Sequence, residues 1–403
     1  MSEELKREVY ADNAATTPVS DRALQAMLPY FKEEYGNPSG FYRVSRDAKR
    51  ALENARETVA SCINAKPDEI FFTGSGSESD NWAIRSTAEK LAGKGKHIIT
   101  SAIEHHAIIY TMQRLEKQGY EVTYLPVDHD GRVDPADLEA AIRPDTILGT
   151  IMMANNEIGT IEPIKELAAI AHAHGVLFHT DAVQAAGHIP VDVEELGVDM
   201  LSMSGHKFHG PKGTGVFYMR DGVNLPAFLI GGGQERGKRG STENVAGIVG
   251  LATALKESVD KIPTESVRLA KMRDRLMDTL TARIPYSHVT GGRENRLPGT
   301  ASMIFECIEG ESMVLLLDSK GIAASSGSAC SSGSLEPSHV LLAIGLKHEL
   351  AHGSLRLSLS DQNTEEDVDY IIDVLPGIIE RLRAMSPVWD AKKQAPAPDF
   401  VMA

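Results

Sequence analysis

Seven short apolar runs separated by helical patterns constrain the fold of this chain more than any other feature. The runs lie at residues 70–72, 97–100, 122–125, 147–153, 176–179, 198–203 and 215–219. This alternation is typical of an α/β protein with a mostly parallel, seven-stranded sheet. Ligand sites in such sheets lie at the carboxyl ends of the strands. The sequence therefore predicts one site built from residues that follow these runs.

The pattern changes after about residue 262. Apolar residues at helical spacing predict a long amphipathic helix over 267–284, and a mixed α+β segment follows it. We expect a large domain over 16–262 and a smaller α+β domain formed by residues 1–15 and 263–390. The segment 391–403 carries two prolines and little pattern, and we expect it to be a flexible tail.

Composition excludes several classes of protein. The chain has 403 residues and a formal net charge of −15, which disfavours a nucleic-acid partner. No apolar run approaches the ~20 residues of a membrane span, and the first ten residues lack the apolar core of a signal peptide. Three cysteines cannot form a disulfide framework. We therefore expect a cytoplasmic protein without nucleic-acid or membrane partners.

A lysine and an aspartate follow two of the apolar runs and indicate a cofactor site. Lys207 ends the sequence Ser-Gly-His-Lys, directly after the run at 198–203. Burial and a cationic neighbour can remove the proton of such a lysine, which then forms a Schiff base. Asp181 follows the run at 176–179 and can partner a pyridinium nitrogen. A solvated lysine and a helix cap are the ordinary alternatives, but the two together favour pyridoxal 5'-phosphate.

Two further segments offer contacts for the phosphate and the ring of that cofactor. Thr-Gly-Ser-Gly-Ser at 73–77 follows a strand-like run and precedes a helical pattern, and the start of a helix binds phosphate. This loop matches neither the Rossmann nor the Walker motif. His105 follows the run at 97–100 and can stack on a flat ring. For His105 alone, a surface histidine is the simpler interpretation.

A cysteine lies in the middle of a run of small residues. Ten consecutive Ser, Gly, Ala and Cys residues occupy 325–334, with Cys330 among them. Such a segment cannot pack a core and loses much backbone entropy when it is ordered. We expect a mobile loop over about 322–336 whose thiolate hands something over. Cys62 and Cys307 are expected to be buried and structural.

The sequence His-Glu-Leu-Ala-His at 348–352 matches a zinc-binding motif. Gly345 and Gly353 bracket it and leave fewer than two helical turns, and Leu355 occupies the position of the glycine in the extended motif. We therefore expect no metal site here.

Several motifs resemble class V aminotransferase relatives. They lie at 14–18, 78–81, 155–159, 204–207 and 231–236. The run from 325 to 340 is similar to that of group I cysteine desulfurases of the NifS/IscS type. The resemblance covers the chain to about residue 390. It implies the fold type I architecture of pyridoxal phosphate-dependent transferases and a homodimer.

The resemblance also implies roles for individual residues. Lys207 resembles the Schiff-base lysine, Asp181 the partner of the pyridinium, and Cys330 the nucleophile, while Arg356 would clamp the substrate carboxylate. The other residues would contact the cofactor: Gly76, Ser77, Ser204 and His206 at the phosphate, Gln184 at the ring hydroxyl, Asn156 at the ring or the substrate, His105 stacked on the ring and moving protons, and Thr242 at the phosphate of the partner subunit.

Two departures from the family pattern stand out. Gly76-Ser77 replaces the more frequent Ala-Thr, and a serine hydroxyl can do the same work. The order Gly240-Ser241 is reversed relative to many relatives, which affects the geometry of the loop that carries Thr242.

The implied function is removal of sulfur from L-cysteine, giving L-alanine and a Cys330 persulfide. The sulfur would pass to an iron–sulfur scaffold protein or another acceptor. The segments at 338–341 and 352–356 resemble the nitrogen-fixation type of desulfurase more than the housekeeping type. Selenocysteine lysis and other pyridoxal phosphate lyase reactions stay open. Transamination does not explain a cysteine in a mobile loop. A scaffold without turnover is the alternative that is not an enzyme, and the intact set of site residues argues against it.

Overall fold

The computed structural model describes residues 7–327 and 337–397 of the chain. The strands in this part are β1 (Val9–Tyr10), β2 (Ile70–Thr73), β3 (His97–Ser101), β4 (Glu121–Leu125), β5 (Thr146–Thr150), β6 (Leu177–Asp181), β7 (Met200–Ser204), β8 (Gly215–Met219), β9 (Ser287–Val289), β10 (Thr300–Phe305), β11 (Ile322–Ala323), β12 (Ser354–Ser358), β13 (Trp389–Asp390) and β14 (Ala395–Pro396).

The helices are α1 (Asp21–Met27), α2 (Pro29–Lys32), α3 (Arg43–Cys62), α4 (Gly76–Leu91), α5 (His106–Glu116), α6 (Pro135–Ala141), α7 (Ile164–Ala173), α8 (Val193–Leu196), α9 (Gln234–Gly237), α10 (Val245–Arg283), α11 (Gly310–Asp318), α12 (His339–Ala343), α13 (His348–Ala351) and α14 (Glu365–Met385). Two 3₁₀ helices, Pro67–Glu69 and Gly205–Lys207, complete the described part. None of these helices is both long and apolar enough to cross a membrane.

The seven predicted strands form one sheet, which confirms the predicted α/β class. Its strand order is β2-β8-β7-β6-β5-β3-β4. Strand β8 runs antiparallel to both of its neighbours, and the other pairs are parallel. Most side chains of β2, β3, β5, β6 and β7 are buried, as expected for strands covered on both faces. The carboxyl ends of β2, β3, β5, β6 and β7 therefore share one edge.

Helix α10 differs from the prediction. It begins at Val245 rather than at residue 267 and continues without interruption through Pro263, next to the predicted domain boundary. A proline inside a helix costs about 3 kcal/mol. Both halves of α10 are packed, since Leu251 and Leu255 lie in one hydrophobic core, and Leu269 and Leu276 lie in another. Packing at both ends outweighs the local penalty, so Pro263 does not end the helix.

The two largest hydrophobic cores lie in different parts of the described chain. The larger one packs against one face of the central sheet, whose other face is covered by a third, smaller core. The second contains residues of β1, the C-terminal half of α10, β10, β12 and α14. We propose that they correspond to the predicted domains 16–262 and 1–15 with 263–390, joined by α10. The second region contains the antiparallel sheet β12-β10-β9 and the pair β1-β11.

The predicted tail begins inside a small hairpin. Strands β13 and β14 pair antiparallel, with Trp389 opposite Pro396 and Asp390 opposite Ala395. The stretch 391–397 therefore has more regular structure than its composition suggests, and residues 398–403 lie outside the described part of the chain.

Candidate active site

A cavity of about 420 Å³ lies at the carboxyl edge of the central sheet. Its walls contain ten of the residues predicted for the site: Gly76, Ser77, His105, Asn156, Asp181, Gln184, Ser204, His206, Lys207 and Arg356. Thr242 is not in its walls. Cys330 lies outside the residues that the structure describes. The volume falls within the usual range for small-molecule sites.

Lys207 ends the short 3₁₀ helix that follows β7. Its Nζ donates hydrogen bonds to the carbonyl oxygens of Ala14 (2.6 Å) and Ala15 (2.8 Å). The Ala14 carbonyl also accepts from Gln184 Nε2 at 2.9 Å. The N-terminal segment thus holds the lysine amine and the glutamine amide at one point, although it is far from both in sequence.

Asp181 is the last residue of β6 and is buried. Its Oδ1 accepts a hydrogen bond of 2.8 Å from the Val183 backbone N–H. The pKa of Asp181 is raised to about 6. Burial is the main cause, and this hydrogen bond and the positive charge of Lys207 offset part of the increase. A nearby cation therefore favours the ionised form of this carboxyl.

The first turn of α4 forms another wall of the cavity. Ser75 caps this helix, since its hydroxyl accepts from the Glu78 N–H at 3.1 Å. The N–H groups at the start of a helix have no partner within the helix and attract anions. A Cβ at Gly76 would lie 2.5 Å from Val183 Cγ2 and 3.4 Å from Ser204 Cβ. Glycine is therefore the residue that fits at the base of this anion cradle.

Two histidines in the cavity are held neutral. His105 caps α5, and its Nδ1 accepts from the Ala107 N–H at 3.1 Å, so the neutral ring carries its proton on Nε2. Burial and then the charge of Lys207 lower the pKa of His105 to about 4. His206 has a pKa lowered to about 4 for the same two reasons, and its Nδ1 lies 3.1 Å from Thr16 Oγ1.

Arg356 reaches the cavity from β12, in the second core. Its Nη1 donates to the Asn156 carbonyl and its Nη2 to Asp12 Oδ1, both at 2.8 Å. Its Nε is buried and has no hydrogen-bond partner among residues 7–327 and 337–397. Asp12 was not among the predicted site residues. The sequence shows an acidic residue shortly after a strand-like Val-Tyr pair, which is a weak indication of a site. Its partner Arg356 is 344 residues away, so no local pattern links the two.

Described residues on both sides of the Cys330 segment are anchored. Ser325 bridges to Arg356, and the Gly327 N–H donates to Ser354 Oγ at 3.0 Å. On the other side, the Ser338 hydroxyl donates to Glu157 Oε2 and caps α12. The first part of the predicted mobile loop, including β11, is therefore structured. Residues 328–336 lie outside the described part.

Thr242 lies exposed before α10, away from the cavity of its own chain. The segment that leads to it is tied to the phosphate-binding turn, because Arg239 Nε donates to Glu78 Oε1 at 2.8 Å. Ser241, at the reversed Gly-Ser position, adopts a left-handed φ of 94°. A contact of Thr242 with a partner subunit stays a prediction.

The other cysteines differ from one another. Cys307 is buried, as expected, whereas Cys62 is only partly buried, so that part of the prediction is wrong. Cys62 ends α3, where one side of the helix faces solvent. Burial raises the pKa of both thiols to about 11, which keeps them protonated and weakly nucleophilic.

The His-Glu-Leu-Ala-His motif forms the four-residue helix α13 and its C-terminal cap. Within residues 7–327 and 337–397, no group of three or more His, Cys, Asp or Glu side chains is arranged to hold a metal ion.

The chain belongs to the aminotransferase class-V family, whose model matches residues 9–371. This match agrees with the parallel sheet and with a lysine and an aspartate at adjacent strand ends.

The chain is 53% identical over 388 residues to a protein of Clostridium botulinum named cysteine desulfurase IscS, covering 96% of this chain and 98% of that protein. Among solved structures, it is similar to a NifS-like protein, with a TM-score of 0.88, 40% identity, and coverage of 93% and 100% of the two chains. A structure described as SspA in complex with cysteine has a TM-score of 0.78 and 38% identity, covering 87% and 98%.

Proposed function

We propose that this protein is a cysteine desulfurase that uses pyridoxal 5'-phosphate. It removes sulfur from L-cysteine, releases L-alanine and carries the sulfur as a persulfide on Cys330 for iron–sulfur cluster assembly. The observation that carries the proposal is that Lys207, Asp181 and Arg356 line one cavity, although they come from different strands and from both cores. The relatives named cysteine desulfurase and the structure with bound cysteine support the choice of substrate.

The cavity fits the cofactor. The first turn of α4 lines the cavity and carries backbone N–H groups without helical partners, which suit a phosphate, and the buried Asp181 suits a pyridinium nitrogen. Ser77, Ser204 and His206 would bind the phosphate, Gln184 the ring hydroxyl and His105 the ring face. The bound cofactor supplies an electron sink that makes the Cα proton of the substrate acidic.

Lys207 would hold the cofactor in the resting protein and take up the Cα proton during turnover. Its amine lies against the Ala14 and Ala15 carbonyls, which fix its position. The neutral ring of His105, with its proton on Nε2, would help return a proton. These two groups act at the sheet side of the cavity, where strand ends set their positions.

Arg356 would bind the carboxylate of the substrate. A guanidinium holds a carboxylate through two parallel hydrogen bonds. The buried Nε provides one donor, and a substrate carboxylate would compete with Asp12 for Nη2. Asn156, whose carbonyl holds Nη1, would complete this side of the site.

Cys330 would accept the sulfur. Its thiolate attacks the substrate sulfur, an S–S bond forms, and the Cβ–S bond breaks with its electron pair returning to the substrate carbon. After protonation the products are alanine and a Cys330 persulfide, and no external oxidant or reductant is needed. Cys62 and Cys307 are unsuited to this role because their thiols are held protonated.

The protein would act as a cytoplasmic homodimer, with Thr242 of each subunit completing the phosphate site of the other. The exposed side chains of Phe41 and Ile230 favour a buried interface. Sulfur would pass to a scaffold protein or another acceptor. Selenocysteine lysis is the second candidate, since selenocysteine differs from cysteine only in carrying selenium in place of sulfur.

The test is incubation of the holoenzyme with L-cysteine, measuring alanine and protein-bound sulfane sulfur in one sample. We expect one persulfide per alanine in the first turnover, located on the peptide that contains Cys330. Matched Cys62→Ser and Cys307→Ser variants should give the same yields. Alanine formation from selenocysteine alone would replace this proposal with the lyase, and no alanine from either would reject both.

A further inference from the structure

Asp80 is a buried carboxyl in the cavity wall to which the proposed mechanism gives no role. It begins the second turn of α4 and is 1% exposed. Its Oδ1 has no hydrogen-bond partner in the described part of the chain. The nearest basic atom is His179 Nε2, at 3.8 Å. An ionised carboxylate in such a place is strongly destabilising unless a cation or several donors compensate it.

The histidine beside Asp80 does not provide that cation. His179 Nδ1 lies 2.8 Å from Thr150 Oγ1, and its Nε2 lies 3.0 Å from Ser202 Oγ. Burial lowers the pKa of this histidine to about 3, so the ring is neutral at physiological pH. The ring therefore forms a neutral hydrogen-bonded bridge between the strands β5, β6 and β7.

The other ionisable neighbours are acids. Asp181 and Glu104 are both buried, and their negative charges act on Asp80. Glu104 Oε1 accepts from Ser101 Oγ at 2.6 Å and from the Met152 N–H at 3.0 Å, while its Oε2 has no partner in the described residues. Three buried carboxyls so placed cannot all be ionised.

We propose that Asp80 is a positioning residue that stays protonated, so that the single negative charge of this cluster resides on Asp181. Burial and then the charge of Asp181 raise the pKa of Asp80 well above its usual value, and a hydrogen bond with the Ser202 side chain opposes this increase only in part. Burial raises the pKa of Glu104 to about 8, whereas Asp181, helped by Lys207, has a pKa of about 6. At neutral pH, Asp181 is therefore the member of the cluster that ionises.

The consequence is a defined location for charge beside the cofactor. Protonated Asp80 and Glu104 leave Asp181 as the only anion of the three, facing Lys207 in the resting protein. This inference rests on the proposed function in one respect, because it takes the cofactor to be the partner of Asp181. The protonation state of Asp80 is a property of the protein alone and can be measured without cofactor or substrate.

The direct test is infrared spectroscopy of the cofactor-free protein carrying aspartate labelled with carbon-13 at the side-chain carboxyl. At pH 7 exposed aspartates are ionised, so any labelled C=O band of a protonated acid comes from a perturbed group. We expect such a band in the wild-type protein, and its loss in Asp80→Asn. Asp145→Asn is the matched control: this carboxyl pairs with Arg143, which lowers its pKa, so only carboxylate absorbance should be lost.

A second readout uses the loaded protein. The pH midpoint of the visible absorbance of the bound cofactor should be unchanged in Asp80→Asn, since a neutral amide replaces a neutral acid. It should move strongly in Asp181→Asn. Absence of the labelled band in wild type, or a shift of the midpoint by about one unit or more in Asp80→Asn, would overturn the proposal. If the wild-type protein failed to bind the cofactor, that result would count against the proposed function. The infrared result would still test the protonation state of Asp80.

Discussion

The two sides of the cavity are built in different ways. On the sheet side, Asp181 ends β6 and Lys207 follows the adjacent parallel strand β7, and the pairing of these strands fixes the relative position of the two residues. On the other side, Arg356 comes from an antiparallel sheet in the second core and bridges Ser325, close to the Cys330 segment. Under the proposed function, the comparison teaches that cofactor chemistry and sulfur abstraction depend on different parts of the chain. A substitution on one side of the cavity should therefore leave the role of the other side intact, so that it can still be measured.

The largest expected effect is at the sheet side. Lys207→Ala should remove the visible absorbance of covalently held cofactor and lower alanine formation by about 10³-fold or more, because both attachment and proton transfer depend on this amine. Absorbance spectra and alanine assays check both. Lys212→Ala is the control, since within residues 7–327 and 337–397 the side-chain amine of this nearby lysine donates a hydrogen bond only to the Thr17 carbonyl, at 3.5 Å. Loss of activity in the control together with normal turnover in Lys207→Ala would reverse the assignment.

A change on the other side should affect substrate but not cofactor. Arg356→Ala should raise KM for L-cysteine by about 10- to 100-fold, the worth of charge-assisted hydrogen bonds to a carboxylate. The cofactor absorbance should not change. Arg356→Lys keeps the positive charge but lacks the planar guanidinium, so its KM should lie between those of the wild type and Arg356→Ala. Weakened cofactor binding with unchanged KM would contradict the separation of the two sides. A thermal melt of each variant checks that the buried side chain was not needed for folding.

A smaller effect is expected in the phosphate-binding turn. Gly76→Ala places a methyl against Val183 and should weaken cofactor affinity by about 10-fold, within the 1–3 kcal/mol range of overpacking. Equilibrium titration of the cofactor-free protein measures this effect. Adding Val183→Ala should restore much of the affinity.

Gly93→Ala is the matched control for that substitution, because a Cβ there has open space. Equal affinities for Gly76→Ala and the wild type would show that the phosphate binds elsewhere.

Much of the sheet side could be predicted from sequence because its signals are local. Each strand is a short apolar run, and the site residues follow the runs directly. Helix α14 begins at Glu365, where the neighbouring residues Thr364 and Asp367 form a capping box. The start of α10 was missed because Pro263 is a local signal for a break, whereas the packing that overrides it involves both cores.

The unpredicted cavity residues depend on contacts distant in sequence. Asp12 acquires its role from Arg356, at the other end of the chain. Asp80 lies in an ordinary polar helical segment, and only the packing of α4 on the sheet buries it next to Asp181 and His179. No local pattern distinguishes either residue from a solvated acid. The geometry of Cys330 lies outside the described residues, so its role rests on its sequence context and on the family.

The measurement that tests the separation of the two sides most directly is Cys330→Ser given L-cysteine. The variant should bind cofactor normally, and L-cysteine should still change the cofactor absorbance, because Lys207, Asp181 and Arg356 are intact. Alanine and protein persulfide should both fall by about 10²-fold or more, since a serine hydroxyl at neutral pH is a far weaker nucleophile than a thiolate. Alanine formation at the wild-type rate in this variant would contradict the account and make sulfur release independent of Cys330.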